Sequence, residues 1–224
     1  MTRHASPSDL PGILSLWKEA FGDSEAEVRR FFAAFPRCRS YVTERGGEVA
    51  AMVHALPQTL SPGVPAAYLY AVATRRGFRG QGLCRELMAF AEQELRAQGI
   101  SCCVLAPAEE ALFAFYRSMG YENAFFRRHT PFSGGREISP EEYLLRREAL
   151  LTAPHVCCDQ ALLSYAASCY GLRFYETADG IAAAGTRCTA EVLPQDAGRG
   201  EANGMLKWLI PGSHLEGYLG FALE

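Results

Sequence analysis

The chain has 224 residues, 49% of them hydrophobic, with a formal net charge of -3 and a pI near 6.0. That length suits one large domain or two small ones with a sizeable core. The mild negative charge excludes a general pull toward nucleic acid or anionic membrane, and no apolar run approaches the length of a membrane span. The amino terminus Met1-Thr2-Arg3-His4 lacks the apolar core of a signal peptide, so an uncleaved cytoplasmic chain is expected. The eight cysteines include the adjacent pairs Cys102-Cys103 and Cys157-Cys158 but no C-x-x-C or C-x-x-H spacing. They read as small buried hydrophobes in a reducing compartment, with no metal site and no disulfide framework.

In chain order, Ser6-Pro7-Ser8-Asp9 is a helix start, and Leu10, Ile13, Leu14, Trp17 and Phe21 keep a helical period up to Gly22. Asp23-Ser24 opens a second helix carrying Val28, Phe31, Phe32 and Phe35, with its end at Pro36. Residues 41–44 and 49–56 form a hairpin about Gly46-Gly47, and Pro57 is expected to end its second strand. Residues 61–65 lead into a third strand, so the sheet is antiparallel on this side.

The stretch from Tyr68 to Leu87 organises the rest of the chain. Tyr68-Leu69-Tyr70-Ala71-Val72-Ala73 is rich in aromatic and branched residues and reads as a buried strand. After Arg75-Arg76-Gly77 comes Arg79-Gly80-Gln81-Gly82, and Leu83, Leu87, Phe90, Ala91 and Leu95 then share one helical face. A strand thus feeds a glycine-bearing turn that opens a helix. The first amides of a helix lack partners and lie at the positive end of its dipole, and glycines leave those amides bare, so a phosphate could rest there. The same residues could equally be a corner whose glycines serve only the turn. Gln98-Gly99 ends the helix, and residues 100–105 form a strand parallel to the earlier one, as a strand-helix-strand crossover requires.

Arg79-Gly80-Gln81-Gly82-Leu83-Cys84 resembles the R/Q-x-x-G-x-G/A pyrophosphate loop of the GNAT superfamily of acyl-CoA-dependent N-acyltransferases, with Cys84 departing from the final Gly or Ala. The resemblance covers roughly residues 1–130. It implies a GNAT fold: a mixed central sheet flanked by helices, whose two parallel central strands splay apart to admit the pantetheine arm. It assigns coenzyme binding to Val72, Ala73 and Thr74 on the strand and to Arg79, Gly80, Gln81, Gly82, Leu83 and Cys84 in the loop. It also places the first two helices beside the acceptor. Further on, Pro107 and Glu109-Glu110 open a helix whose residues Leu112, Phe115, Tyr116 and Met119 share a face. The run FYRSMGY is similar to a second GNAT motif, whose tyrosine stands near the coenzyme sulfur, and Tyr116 matches it. Leu105-Ala106-Pro107 before an acidic helix start also resembles Eis-like acetyltransferases.

Residues 123–129 form a closing strand, and Pro131-Phe132-Ser133-Gly134-Gly135 marks a boundary. The expected division is a GNAT domain over 1–130 and an α+β extension over 136–224, which is either a degenerate second GNAT-like unit or an unrelated addition. In it, helices are expected after Ser139-Pro140 and over 155–170. Strands are expected over 172–177, 181–184, 188–193, 205–210 and 218–221, with a polar loop over 196–203.

The implied function is transfer of an acyl group, most simply acetyl from acetyl-CoA, to a primary amine by direct attack in a ternary complex. Tyr116 would protonate the leaving thiolate. The central strand carries no acid or histidine, so the general base is sought elsewhere: His54 on the preceding strand first, then Glu44, Glu109, Glu110, the terminal carboxylate of Glu224, or water. The competing reading is a catalytically silent acyl-CoA sensor. Expected partners are acetyl-CoA and a small-molecule or peptide amine, with no nucleic acid, no membrane and room for a homodimer.

Overall fold

The structure, a computed structural model, describes residues 1–185, 189–194 and 200–221. Its chain forms two compact units: Met1–Gln58 with Pro65–Leu105 and Lys207–Gly212, and Thr59–Val64 with Ala106–Leu206 and Ser213–Glu224. The expected division near residues 130–136 falls inside the second unit.

The first unit holds β1 (Thr2–His4), α1 (Leu10–Phe21), α2 (Glu25–Ala34), β2 (Arg39–Arg45), most of β3 (Glu48–Leu60), nearly all of β4 (Val64–Thr74), α3 (Leu83–Ala97) and β5 (Cys102–Leu105). Strands run in the order β1-β2-β3-β4-β5. The first pairings are antiparallel, with Tyr41 opposite Val53 and Ser40 opposite His54. The β4–β5 pairing is parallel, as the crossover through α3 demands. Because side chains alternate across a strand, Tyr41 and His54 point to opposite faces of the sheet. Tyr41 meets Phe90 of α3, and His54 meets Trp17 of α1 and Phe31 and Phe32 of α2. Helices therefore flank both faces.

Local signals explain the element ends. Gly22 and Gly99 adopt left-handed φ of 84° after α1 and α3. Ser24 caps α2, its hydroxyl accepting from the Glu27 amide. The buried stripe of α3 is Leu83, Leu87, Met88, Ala91 and Leu95, each worth about 1.5–3 kcal/mol for a large apolar side chain. One element goes beyond the sequence reading and one expectation is corrected. Strand β1 pairs with β2 although the sequence gives no strand signal at residues 2–4, because three residues are too few to show a period. Pro57 does not end β3, which runs on to Leu60. β2 ends at Arg39 opposite Ala55, so Pro57 lies beyond that partner, where a missing donor is tolerated.

The second unit holds α4 (Glu110–Arg117), β6 (Glu122–Arg127), β7 (Arg136–Ile138), α5 (Pro140–Leu150), α6 (Gln160–Tyr170), β8 (Arg173–Glu176), β9 (Ile181–Ala184), β10 (Thr189–Leu193) and most of β11 (Glu201–Trp208). β10-β9-β8-β7 form a wholly antiparallel sheet against which α5 packs, and α5 also packs on α6. β11 pairs antiparallel with β6. Among the described residues the named strands of this unit pair with one another only antiparallel, with isolated parallel bridges from Phe125 to Gly217 and from His155 to Tyr218, and no glycine loop opens a helix. Helix α6 starts at Gln160, not 155, because the Asp159 carboxylate caps the Leu162 amide at 2.8 Å and residues 155–157 are extended. β11 begins at Glu201, so residues 201–203 are strand where a loop was expected. The loop residues 196–199, Cys188 and Glu224 lie outside the described residues.

The second unit is pinned by a buried ion pair. Arg147 of α5 and Glu191 of β10 are both fully buried, Nε donating to the carboxylate at 3.0 and 3.2 Å, and the Tyr143 hydroxyl donates to the same carboxylate at 2.5 Å. Gly220, at φ 77°, passes so close to Arg147 Nη2 that a Cβ would collide with it. Removing one member of such a pair leaves an uncompensated charge, which costs more than the pair contributes. Glu191→Gln should therefore lower unfolding free energy in urea by about 3–5 kcal/mol. The double variant Arg147→Met/Glu191→Leu should recover most of that loss. Equal stability of Glu191→Gln and the parent would show that the pair is not desolvated.

Candidate active site

β4 and β5 pair over a short length only. Ala66, Ala67 and Tyr68 face Cys102, Cys103 and Val104, after which β5 has one residue left while β4 continues to Thr74. Residues 69–74 thus outrun their parallel neighbour. Within this overhang Ala71 has φ of 49°, in the left-handed region that a residue with a Cβ enters at a cost of about 1–2 kcal/mol. Such a residue breaks the regular alternation of a strand and re-aims the peptide groups beside it. Nothing in the sequence marks this position; an alanine in an apolar run gives no sign of it.

The turn after β4 is fastened from α1. Glu19 accepts from the Arg75 guanidinium at 2.8 Å and from the Arg76 backbone amide at 2.7 Å. Arg79 folds back, its Nε donating to the Thr74 carbonyl at 3.1 Å, and Gln81 donates to the Gly77 carbonyl at 3.4 Å. Gly80 and Gly82 have φ of 75° and 78°, and a Cβ on either would find nothing within 4 Å. The corner is therefore open. Gly82 is the N-cap of α3 and offers no side chain to its first amides, while Arg79, Gly80, Gln81 and Gly82 are exposed. Unmasked amides, the positive end of a 15-residue helix and a nearby guanidinium together suit an anion. Leu83 turns into the core, and Cys84 is half-buried, its thiol pushed up to about 11 by burial. It is thus a neutral small side chain beside the amides. Val72 and Thr74 are half-buried and Ala73 buried, and the buried Thr74 hydroxyl has no hydrogen-bond partner.

The chain's family follows from its sequence match to this fold. Residues 1–124 match the model of the acetyltransferase (GNAT) domain. The chain belongs to the GNAT acetyltransferase family. No curated protein matches significantly. Among solved structures, the chain is similar to a probable N-acyltransferase from Enterococcus faecalis V583, with a TM-score of 0.64 at 20% identity over 82% of this chain and 54% of that one. It is similar also to a GCN5-related N-acetyltransferase from Anabaena variabilis, with a TM-score of 0.61 at 19% identity over 84% and 53%. A GCN5-related N-acetyltransferase from Kribbella flavida gives a TM-score of 0.58 at 20% identity over 82% and 53%. The chain spans about half the length of these solved structures. At such identities they establish the fold alone: the GNAT mixed sheet with flanking helices.

Residues 72–74 and 79–84 both lie in the first unit, four residues apart, and His54 lies in that unit on β3. Tyr116 lies in the second unit on α4, buried, its ring 5.8 Å from that of Tyr121 and edge-on to it. Of the other base candidates, Glu44 accepts from Arg3 at 2.9 Å, and Glu109 and Glu110 are exposed. A cavity of about 480 Å3 between α1 and α2 is lined by Leu10, Leu14, Lys18, Glu25 and Arg29 among others, and none of its lining residues belongs to the glycine corner. Among the described residues no helix is long and apolar enough to cross a membrane.

His54 is wholly buried in an aromatic cage with Trp17 at 4.9 Å and Phe32 at 5.3 Å between ring centroids. Nδ1 lies 2.7 Å from the Ser40 hydroxyl, while Nε2 has no hydrogen-bond partner. Burial without a charged neighbour disfavours the imidazolium and lowers its pKa to about 3. The unfolded chain takes up a proton near pH 6.5 that the folded chain refuses until about pH 3, so stability is whole above pH 6.5 and falls as pH drops between those values. His54→Gln should remove a slope of up to about 1.4 kcal/mol per pH unit from the unfolding free energy, measured by denaturant titration across that window. Identical slopes for parent and variant would mean that the ring is protonated or solvated in the native state.

Proposed function

We propose that this chain is an acyl-CoA-dependent N-acyltransferase that moves acetyl from acetyl-CoA to a primary amine by direct attack in a ternary complex. One observation supports it above the others: β4 outruns β5 and ends in an open glycine corner at the start of a helix. Arg79, Gly80, Gln81, Gly82, Leu83 and Cys84 would hold the pyrophosphate on their amides. Val72, Ala73 and Thr74 would take the pantetheine arm as an added strand, backbone to backbone.

In the reaction the amine nitrogen forms a bond to the thioester carbon, and the carbon–sulfur bond breaks. A β4 amide beside Ala71 would donate to the carbonyl oxygen as it becomes an oxyanion, and one such donor is worth about 3 kcal/mol. The leaving thiolate takes a proton from the Tyr116 hydroxyl. The attacking amine must lose its own proton. A ring with a pKa of about 3 is too weak a base to hold it at neutral pH, so in this reading water accepts it. His54 could serve only if acceptor binding opened its cage. Residues 1–130 carry the chemistry, residues 136–224 form an added α+β part, and the setting is cytoplasmic, in keeping with the seven free cysteines among the described residues.

Gly82→Val should place a branched side chain among the phosphate oxygens and force a β-branched residue to a φ of 78°. Its dissociation constant for coenzyme A should rise at least about tenfold by calorimetry, a loss of about 1.4 kcal/mol. An unchanged constant in the folded variant would remove the loop assignment. Tyr116→Phe should slow thiol release from acetyl-CoA, measured over a panel of amines, by about 10²–10⁴-fold at nearly constant coenzyme affinity. Tight coenzyme binding with no amine accelerating thiol release in the parent would favour the sensor reading instead.

A further inference from the structure

A cluster in the second unit, unconnected with acyl transfer, carries its own chemistry. Residues 155–157 are extended and fixed at the backbone. The Ser61 amide donates to the His155 carbonyl at 2.9 Å, the Val156 amide to the Tyr218 carbonyl at 3.0 Å, and the Cys157 amide to the Thr59 carbonyl at 2.8 Å. An extended backbone sends alternate side chains to the same side, so His155 and Cys157 face one way. Glu148, in the last turn of α5, meets them there. The ligand atoms of Glu148, His155 and Cys157 lie within 4.8 Å of one another.

The hydrogen bonds of His155 leave a specific problem. Its Nδ1 is 2.9 Å from the Ala153 carbonyl oxygen, which can only accept, and 3.3 Å from the Ser61 hydroxyl, which can also accept; the shorter contact to the carbonyl assigns the proton to Nδ1. In a neutral ring Nε2 is then a bare lone pair, and it stands 3.0 Å from the Glu148 carboxylate oxygen Oε2, which is also an acceptor. Two acceptors at that distance need a cation between them: either a second ring proton or a metal ion. The half-buried thiol of Cys157 adds a third donor atom to the same space. A histidine whose other nitrogen donates to a backbone carbonyl has the orientation and tautomer of a metal ligand.

We propose that Glu148, His155 and Cys157 bind a borderline-soft divalent transition-metal ion of the zinc type, through one oxygen, Nε2 and Sγ. The donor set excludes magnesium and calcium, which take oxygen ligands. Three protein ligands leave a fourth tetrahedral position for water. Carboxylate and thiolate together neutralise the ion, so the centre carries no net charge into a partly buried place. Glu148 Oε1 accepts from Arg147 at 3.2 Å, which leaves Oε2 for the ion. The bond made is metal to sulfur, and the thiol proton is released to solvent. The ion would tie the end of α5 to the 155–157 segment.

Cobalt(II) is the probe, added to the metal-stripped full chain, with zinc as competitor. The expected result is one cobalt per chain with a sulfur-to-cobalt charge-transfer band, and zinc displacing it. Cys157→Ser should abolish the band and weaken zinc binding at least tenfold against a chromophoric chelator. Cys169→Ser, at an exposed cysteine elsewhere, should change neither. Glu148→Gln, at a half-exposed side chain, is the second variant should Cys157→Ser fail to fold, and it too should weaken zinc at least tenfold. Absence of the band in the folded parent, or zinc affinity unchanged in Cys157→Ser or Glu148→Gln, overturns the proposal. So does an imidazolium at His155 carrying both ring protons by NMR under excess zinc, which would leave Glu148 and His155 as an ordinary ion pair.

Discussion

The first unit turns on a mismatch of length: β5 stops at Leu105 while its parallel neighbour β4 runs on to Thr74. A strand that loses its partner presents unspent backbone donors and acceptors, and these must be met by something. Part of the demand is answered locally, since the Arg79 side chain takes the Thr74 carbonyl. The left-handed Ala71 alters the direction of the rest. The turn beyond Thr74 can stay bare because its two left-handed residues are glycines and no neighbour's side chain reaches into their space. Overhang and corner are thus one device. The sheet supplies the edge, and the helix supplies the charge.

The second unit is held differently. Its four-stranded sheet is short and antiparallel, and helix α5 meets it through a fully buried Arg147–Glu191 pair closed by the Tyr143 hydroxyl. Apolar contacts alone tolerate sliding of a helix along a sheet. A desolvated guanidinium does not, because any shift strands a charge. The cost of bringing these groups out of water is recovered only in one arrangement, which fixes the seat of α5 on the sheet.

Much of this was legible in the residues. The run from Tyr68 to Leu87 showed strand, glycine turn and helix in order because each obeys a local rule: branched and aromatic content, positive φ at glycine, and spacing of three and four. Caps at Ser24 and Ser139 were equally plain. What escaped reading depends on partners distant in sequence. Pro57 is harmless inside β3 because β2 has already ended. Residues 155–157 are extended because Leu60 and Tyr218 lie beside them in space, a pairing that the local sequence does not announce. The site was half legible for the same reason. The loop announced itself, whereas the conformation of Ala71 and the cage around His54 exist only once α1, α2, β3 and β4 are assembled. The cage matters because it turns a histidine that looks like a base into one that stays neutral.

Glu19 spans two jobs with one carboxylate, gripping the Arg75 guanidinium with one oxygen and the Arg76 amide with the other. It sits on α1, so a shear of that helix across the sheet and a tug at the mouth of the glycine corner become a single motion. The geometry at one end of this frame cannot be retuned without being felt at the other.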